Sequence, residues 1–186
     1  MKSTKSKAAI AFVAFILVFS ITHFAKFPGS VEYFKEITND QPLLDLKPEF
    51  SKSGVYERLE SFGNEGRTAY LQLLPTIDLI FPISAFIFFL MLGRLAAERY
   101  DQPFCSRFYW AVPSLYLLMD FLENAFIVLM LIKYPERLDS VASMLGFITV
   151  IKRILMIFSI GSPLILLSFA WFRNVRQSHT PPTRKH

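Results

Sequence analysis

The chain has 186 residues, 53% of them hydrophobic and 20 of them phenylalanine, and its formal net charge is +5. Its single cysteine, Cys105, excludes an intrachain disulfide and the thiol oxidoreductases that need cysteine pairs. The lysines and arginines gather between and beside long apolar segments, which is the distribution found in membrane proteins. We therefore expect the lipid bilayer as a partner and no nucleic acid.

Four apolar segments predict an all-α, four-helix transmembrane bundle, with residues 1–186 forming a single membrane domain. The predicted spans are about 8–25, 74–93, 109–132 and 143–172, and the last is longer than one crossing requires. The first span follows a lysine-rich start, as a signal peptide would. It ends without a small-x-small cleavage pattern, which favours an uncleaved anchor.

The distribution of lysine and arginine predicts that both termini are cytoplasmic. Cations gather at the N-terminus, in the loop after the second span and in the tail 173–186, which lie on one side of a four-span protein. The opposite side receives the outer loop 27–73, which is acidic and carries eight carboxylates between Glu32 and Glu65. We therefore expect a multi-pass integral membrane protein with its largest loop outside the cytoplasm.

The outer loop 27–73 is predicted to be partly helical. Val31–Ile37 has the pattern of a short amphipathic helix. A second helix is predicted to begin after an N-cap at Ser53. Asn64 is expected to cap a third helix, which Pro75 bends where it enters the second span.

The third span carries polar side chains in its middle. Asp120, Glu123 and Asn124 stand at positions i, i+3 and i+4 and therefore share one helical face, which Tyr116 extends by one turn. Ionised carboxylates at membrane depth are costly unless they are paired or hydrated. This face is therefore predicted to meet polar groups inside the protein.

Charged residues of the second and fourth spans are predicted to lie near the same depth. At a rise of about 1.5 Å per residue, Glu123 and Lys152 each lie about 14 Å from the outer end of their spans, and Asp78 about 6 Å. Arg153 follows Lys152 directly. We expect the acids of two spans to converge with the bases of a third, with Lys152 and Arg153 as counter-charges.

Two further residues are expected to close over this site. Arg67 and Tyr70 share a face of the helix that leads into the second span, and an arginine there is suited to bidentate binding of a carboxylate or phosphate. The predicted ligand-binding residues are therefore Asp120, Glu123, Asn124, Lys152, Arg153, Asp78, Arg67 and Tyr70.

Three functions are compatible with this set. The preferred interpretation is a site that binds a small polar or amphipathic molecule, a lipid or an ion. An extension of this interpretation is that the protein also translocates the ligand. In the second, the charges only lock helix packing and the outer loop recruits a partner. The third is an intramembrane enzyme that depends on paired carboxylates, and it is the least expected of the three. No cofactor is assigned, no metal site is predicted, and assembly into a homo-oligomer stays open.

Four short motifs follow one another along the chain: Gly63-x-x-Gly66-Arg67-x-x-Tyr70, Asp78-x-x-Phe81-Pro82, Asp120-x-x-Glu123-Asn124 and Thr149-x-x-Lys152. In combination they resemble a family of small four-pass integral membrane proteins of uncharacterised function. The resemblance spans about Gly54 to Ser159. It implies a four-helix membrane fold with polar residues at these positions, and it implies no activity, substrate or cofactor.

Overall fold

The computed structural model describes residues 2–99 and 103–178, and within them the side chains of residues 3–99 and 107–173. The side chain of Cys105 and the end of the predicted tail, 179–186, lie outside the described residues. The described fold is all-helical. Its helices are α1 (Lys2–Phe24), α2 (Val31–Ile37), α3 (Lys52–Ser61), α4 (Gly63–Leu73), α5 (Ile77–Ala97), α6 (Pro103–Lys133) and α7 (Asp139–Ser178).

Four stretches of helix are long and apolar enough to cross a membrane, which confirms the predicted four-helix architecture. They are Ser3–Phe24, Gly63–Ala97, Arg107–Lys133 and Asp139–Arg173, and the second comprises α4, the turn at 74–76 and α5. The helices extend beyond the predicted spans because their polar end turns stay helical after the apolar run has ended. By length and composition, the chain is a multi-pass membrane protein.

The central helix of the bundle is α5, which packs against α1, α6 and α7. Gly93 permits its close approach to α6, because a Cβ there would lie 2.6 Å from the Cβ of Tyr109. Between this contact and the opposite end of the bundle, aromatic side chains pack around the middle of α1, α5 and α6. We call this the aromatic cluster, and its members include Phe15, Phe88, Phe89 and Tyr116.

The segment between α1 and α5, residues 25–76, folds as a cap over the other end of the bundle. Its three helices share an apolar core with the end of α6 and the start of α7. Fully buried members of this core include Phe34, Leu44, Leu59, Ile127 and Leu145. Burial of these side chains holds the cap against the long helices.

Within the cap, the helix ends differ in part from the predictions. The helix predicted over Val31–Ile37 is confirmed as α2. The N-cap of α3 is Ser51 rather than Ser53, because the Ser51 hydroxyl accepts from the Gly54 N–H at 2.9 Å. Asn64 lies inside α4 and does not cap it. Pro75 lies in the break between α4 and α5, where the bend was expected.

One part of the cap, residues 43–50, runs along the side of α7 without helical structure; we call it the descending segment. A Cβ on Gly146 would lie 2.5 Å from the carbonyl oxygen of Glu49, so only glycine allows this approach. Two turns further along α7, the guanidinium of Arg153 donates to the carbonyl oxygens of Asp45, at 3.1 Å, and Leu46. The segment therefore follows α7 for about 10 Å.

Candidate functional site

Lys152 on α7 is the centre of a buried charge cluster. Its ammonium nitrogen lies 3.2 Å from Oδ1 of Asp120 and contacts Oε2 of Glu123, both on α6. The hydroxyl of Thr149, one turn away on α7, donates to the other oxygen of Glu123. Asp120 is 6% exposed and Glu123 is fully buried. One ammonium thus serves two carboxylates, and the three ionised groups carry a formal charge of −1.

Asn124 connects this cluster to α5. Its side-chain amide donates to the backbone carbonyl of Asp78 at 3.3 Å and to Oδ2 of Asp120 at 3.4 Å. The carboxylate of Asp78 is in a different situation, because its Oδ2 is buried and has no hydrogen-bond partner among the described residues. A buried acceptor in this state costs about 1–3 kcal/mol, and more when it is charged. Asp78 is therefore a group whose binding capacity the fold leaves open.

Asp45 brings a fourth carboxylate from the descending segment. The buried hydroxyl of Tyr70 donates to Oδ1 of Asp45 at 2.8 Å and accepts from the N–H of Leu44 at 3.1 Å. Tyr70 on α4 therefore holds the segment and its acid in place. Asp45 was not among the predicted site residues, because an irregular segment has no periodicity that could identify it. The available signal was its position among three leucines, which predict burial.

These groups meet at a partly open cavity of about 140 Å³. All four long helices and the cap contribute to its wall, so the cavity lies at the junction between the bundle and the cap. The lining residues are Thr22, His23, Val31, Leu43, Asp45, Leu46, Asp78, Phe81, Tyr116, Asp120, Lys152, Arg153 and Met156. Acidic and basic side chains thus share the wall with aromatic and aliphatic ones.

On the side away from the cap, the aromatic cluster closes the cavity. Tyr116 belongs to both, and its ring lies edge-on to Phe89 at 5.4 Å. Phe15 of α1 stacks on Phe88 of α5 at 5.4 Å. Within the described part of the bundle, the charged wall is therefore separated from the far end by packed aromatic rings.

The structure brings five predicted site residues together, namely Asp78, Asp120, Glu123, Asn124 and Lys152, and their role in binding a ligand stays a prediction. Arg153 also lines the cavity, but its expected role as a counter-charge needs correction. Its guanidinium donates hydrogen bonds to backbone carbonyl oxygens of the descending segment. These carbonyls need such a donor because the segment has no helical or strand hydrogen bonds to satisfy them. Among the described residues, Lys152 provides the ion pairs to the acids of α6.

The predicted closure of Arg67 over the site is also corrected. Arg67 donates to the carbonyl oxygen of Leu59 at 3.0 Å, and its guanidinium stacks over the ring of Tyr134 at 4.1 Å. It fastens α3, α4 and the end of α6 to one another and lies outside the cavity wall. Tyr70, on the same helix, reaches the site only through Asp45.

Two residues of α1, Thr22 and His23, complete the wall and were not among the predicted site residues. The ring of His23 stacks on Phe19 at 4.3 Å and lies edge-on to Phe81 at 5.7 Å. Its Nδ1 lies 3.0 Å from the carbonyl oxygen of Phe19. Thr22 donates to its own helix, at the carbonyl oxygen of Val18. Only the packing of α1 against α5 brings these residues to the cavity.

The charge of the assembled site is negative on a formal count. Four carboxylates, those of Asp45, Asp78, Asp120 and Glu123, face two cationic side chains, Lys152 and Arg153, which gives −2. Among the described residues, no group of three or more His, Cys, Asp or Glu side chains is arranged to hold a metal ion. In comparisons with known proteins, no family model, curated protein or solved structure matches the chain.

Proposed function

We propose that the protein binds a small polar or amphipathic molecule or an ion in the cavity between its bundle and its cap. The observation that carries this proposal is Asp78, a residue of the cavity wall whose buried Oδ2 has no hydrogen-bond partner among the described residues. Buried polar oxygens in proteins are nearly always hydrogen-bonded, so this carboxylate is a natural acceptor for a donor that a ligand, an ion or a water brings. Asp120 and Lys152 also line the cavity, and Glu123 and Asn124 contact them from behind the wall.

The proposed orientation places both termini in the cytoplasm and the cap on the opposite side. The ends of the long helices away from the cap carry Lys5, Lys7, Arg94, Arg107 and Arg173, whereas the cap carries most of the carboxylates. Cytoplasmic loops are enriched in lysine and arginine. A ligand then reaches the cavity from the outer side or from the surrounding lipid.

Translocation would require the aromatic cluster to open. Phe88, Phe89 and Tyr116 pack between the cavity and the cytoplasmic ends of the helices. With these rings packed, the way from the cavity to the cytoplasmic ends is closed, which corresponds to one of the two states that an alternating-access carrier needs. Binding is therefore the proposal, and transport is its extension.

The alternative is a structural role, in which the charges only lock α6 to α7. The pair of Lys152 with Glu123 favours it, because a buried ion pair of this kind fixes helix register. Asp78 argues for the binding function, since its carboxylate adds a charge that no locking pair needs. An enzyme has less support, because Asp120 and Glu123 are both engaged by Lys152.

We also propose that the resemblance to small four-pass membrane proteins reflects a shared site. Residues from three of its four motifs lie in one cluster: Asp78, Asp120, Glu123, Asn124, Thr149 and Lys152. The fourth motif supplies Tyr70, which holds Asp45 at the cavity. Motifs that are distant in sequence and meet in space support a common role.

Native mass spectrometry of the protein purified from its own membranes tests the binding function. We expect the wild type to carry a small molecule that Asp78→Asn loses, while both elute as folded monodisperse protein. The matched control is Asp139→Asn, at the exposed start of α7, which should retain the molecule. A wild type that carries nothing, or an Asp78→Asn variant that keeps the molecule, would contradict the proposal.

A further inference from the structure

We infer that the ligand is an organic cation, a primary ammonium on a short apolar chain, held between Asp78 and Asp45. This inference rests on the proposed binding function and adds the charge and the chemical class of the ligand. Three independent features of the cavity support it: the charge balance, the hydrogen-bonding capacity of the wall and the aromatic side chains around it.

The charge balance favours a cation because both bases of the site are already engaged. Lys152 is shared by Asp120 and Glu123, and Arg153 donates to carbonyl oxygens of the descending segment. The Oδ2 of Asp78 has no hydrogen-bond partner among the described residues. An anionic ligand would add to a formal charge of −2, whereas a cation reduces it. In a low-dielectric site this difference decides which ligand binds.

The hydrogen-bonding groups of Asp78 and Asp45 also favour a cationic ligand. An ionised carboxylate only accepts hydrogen bonds, and the buried Oδ2 of Asp78 lacks a donor among the described residues. Asp45 faces the same cavity from the cap, with Tyr70 donating to its Oδ1. A primary ammonium offers three donors and no acceptor, so it satisfies such a wall without introducing an unpaired group.

The rest of the wall suits an apolar substituent and the cation itself. The rings of Phe81 and Tyr116 line the cavity, and aromatic faces attract ammonium groups. Leu43, Leu46 and Met156 add aliphatic surface beside them. The cavity volume of about 140 Å³ limits the ligand to a few heavy atoms, because bulkier molecules need pockets of roughly 300 Å³ or more.

The test uses three probes of equal chain length, n-butylammonium, n-butyrate and n-butanol. Each is added to the full-length protein in nanodiscs of zwitterionic lipid, and the thermal midpoint of unfolding is measured. A ligand that binds only the folded state raises this midpoint with its concentration. We expect n-butylammonium to raise it and the other two probes to leave it unchanged.

Two variants locate the effect. Asp78→Asn should weaken the apparent affinity for n-butylammonium at least tenfold, while Glu57→Gln, on the exposed face of α3, should leave it unchanged. If Asp78→Asn fails to fold, the apparent affinity for n-butylammonium is measured in Asp45→Asn instead, where we expect it to be weakened as well. Its amide oxygen can still accept from Tyr70, so the segment stays in place while the charge is lost.

The outcomes separate this inference from the proposed function. Stabilisation by n-butyrate instead of n-butylammonium would overturn the cation assignment and leave a binding site in place. Equal stabilisation of the wild type and both carboxylate variants by n-butylammonium would mean that the cation acts elsewhere. No stabilisation by any probe, in a protein that still carries a small molecule in mass spectrometry, would also overturn the assignment and not the function.

Discussion

Lys152 and Glu123 face each other from α7 and α6, and their ion pair joins the two helices inside the bundle. Glu123 is fully buried, and it also accepts from the hydroxyl of Thr149. The same ammonium lies 3.2 Å from Asp120, one turn away on α6. This arrangement fixes the register of α6 against α7 and thereby sets the depth of the cavity wall.

The first prediction concerns the loss of this ammonium. Lys152→Met leaves two buried carboxylates without a counter-charge, and breaking a buried pair in this way costs about 3–5 kcal/mol. Thermal or denaturant unfolding in detergent measures the loss. The control is Lys133→Met, since its pair with Glu136, at 3.7 Å, is exposed and contributes about 0–1 kcal/mol.

The double variant completes this experiment. Adding Glu123→Gln to Lys152→Met removes one of the two orphaned charges, so we expect it to recover part of the lost stability. If Lys152→Met were no less stable than Lys133→Met, the pair would not be the lock between α6 and α7.

The architecture was predictable from the sequence because membranes impose simple rules. Apolar runs of sufficient length identified the four spans, and counting residues from their ends placed Glu123 and Lys152 at one depth. The spacing of Asp120, Glu123 and Asn124 identified the face that turns inward. Periodicity and depth together were enough for the helix-borne half of the site.

The rest of the site depends on the path of the cap, for which no periodic pattern exists. Asp45 reaches the cavity only because Tyr70 and Arg153 hold an irregular segment against α7. Arg67 and Tyr70 stand at i and i+3, yet Tyr70 enters the core while Arg67 stacks on Tyr134. Local spacing shows which residues share a face, and only tertiary packing decides what that face contacts.

The second prediction concerns the glycine beneath the descending segment. In Gly146→Ala the new methyl would lie 2.5 Å from the backbone oxygen of Glu49, which cannot move without displacing the segment. We expect a loss of about 1–3 kcal/mol in unfolding free energy. In Gly161→Ala, on the same helix, the new methyl has no described atom within 4 Å, so the change should be neutral or stabilising by about 0.5–1 kcal/mol. Equal effects of the two changes would show that the segment does not press on α7.

A third prediction tests the role assigned to Arg153. Arg153→Gln removes donors to the carbonyl oxygens of Asp45 and Leu46, and hydrogen bonds from charged groups contribute about 1.5–3 kcal/mol. Hydrogen exchange of residues 43–50 should accelerate, while exchange in α3 stays as in the wild type. Arg94→Gln, at the exposed far end of α5, is the control and should leave the segment protected. Unchanged exchange in Arg153→Gln would mean that other contacts hold the segment.

The fourth prediction concerns pH and the opposite end of the bundle, where Thr4 of α1 meets Glu98 after α5. The Thr4 hydroxyl donates to Oε1 of Glu98 at 2.7 Å, and Arg94 lies 3.5 Å from the same oxygen. The hydrogen bond from Thr4, with Arg94 adding to it, holds the pKa of Glu98 below its ordinary value of 4.5. A group with a lowered folded-state pKa stabilises the fold only while it is ionised.

The contribution of Glu98 is therefore complete above its ordinary pKa and is lost as the pH falls through the lowered value. We expect the thermal midpoint of the wild type to fall more between about pH 6 and about pH 3 than that of Glu98→Gln. The difference should be small, because the Glu98 side chain is partly exposed to solvent. Thr4→Val should behave like Glu98→Gln, since it removes the donor that lowers the pKa. A wild type and a Thr4→Val variant with the same acid dependence would show that the contact between α1 and α5 at this end adds nothing to stability.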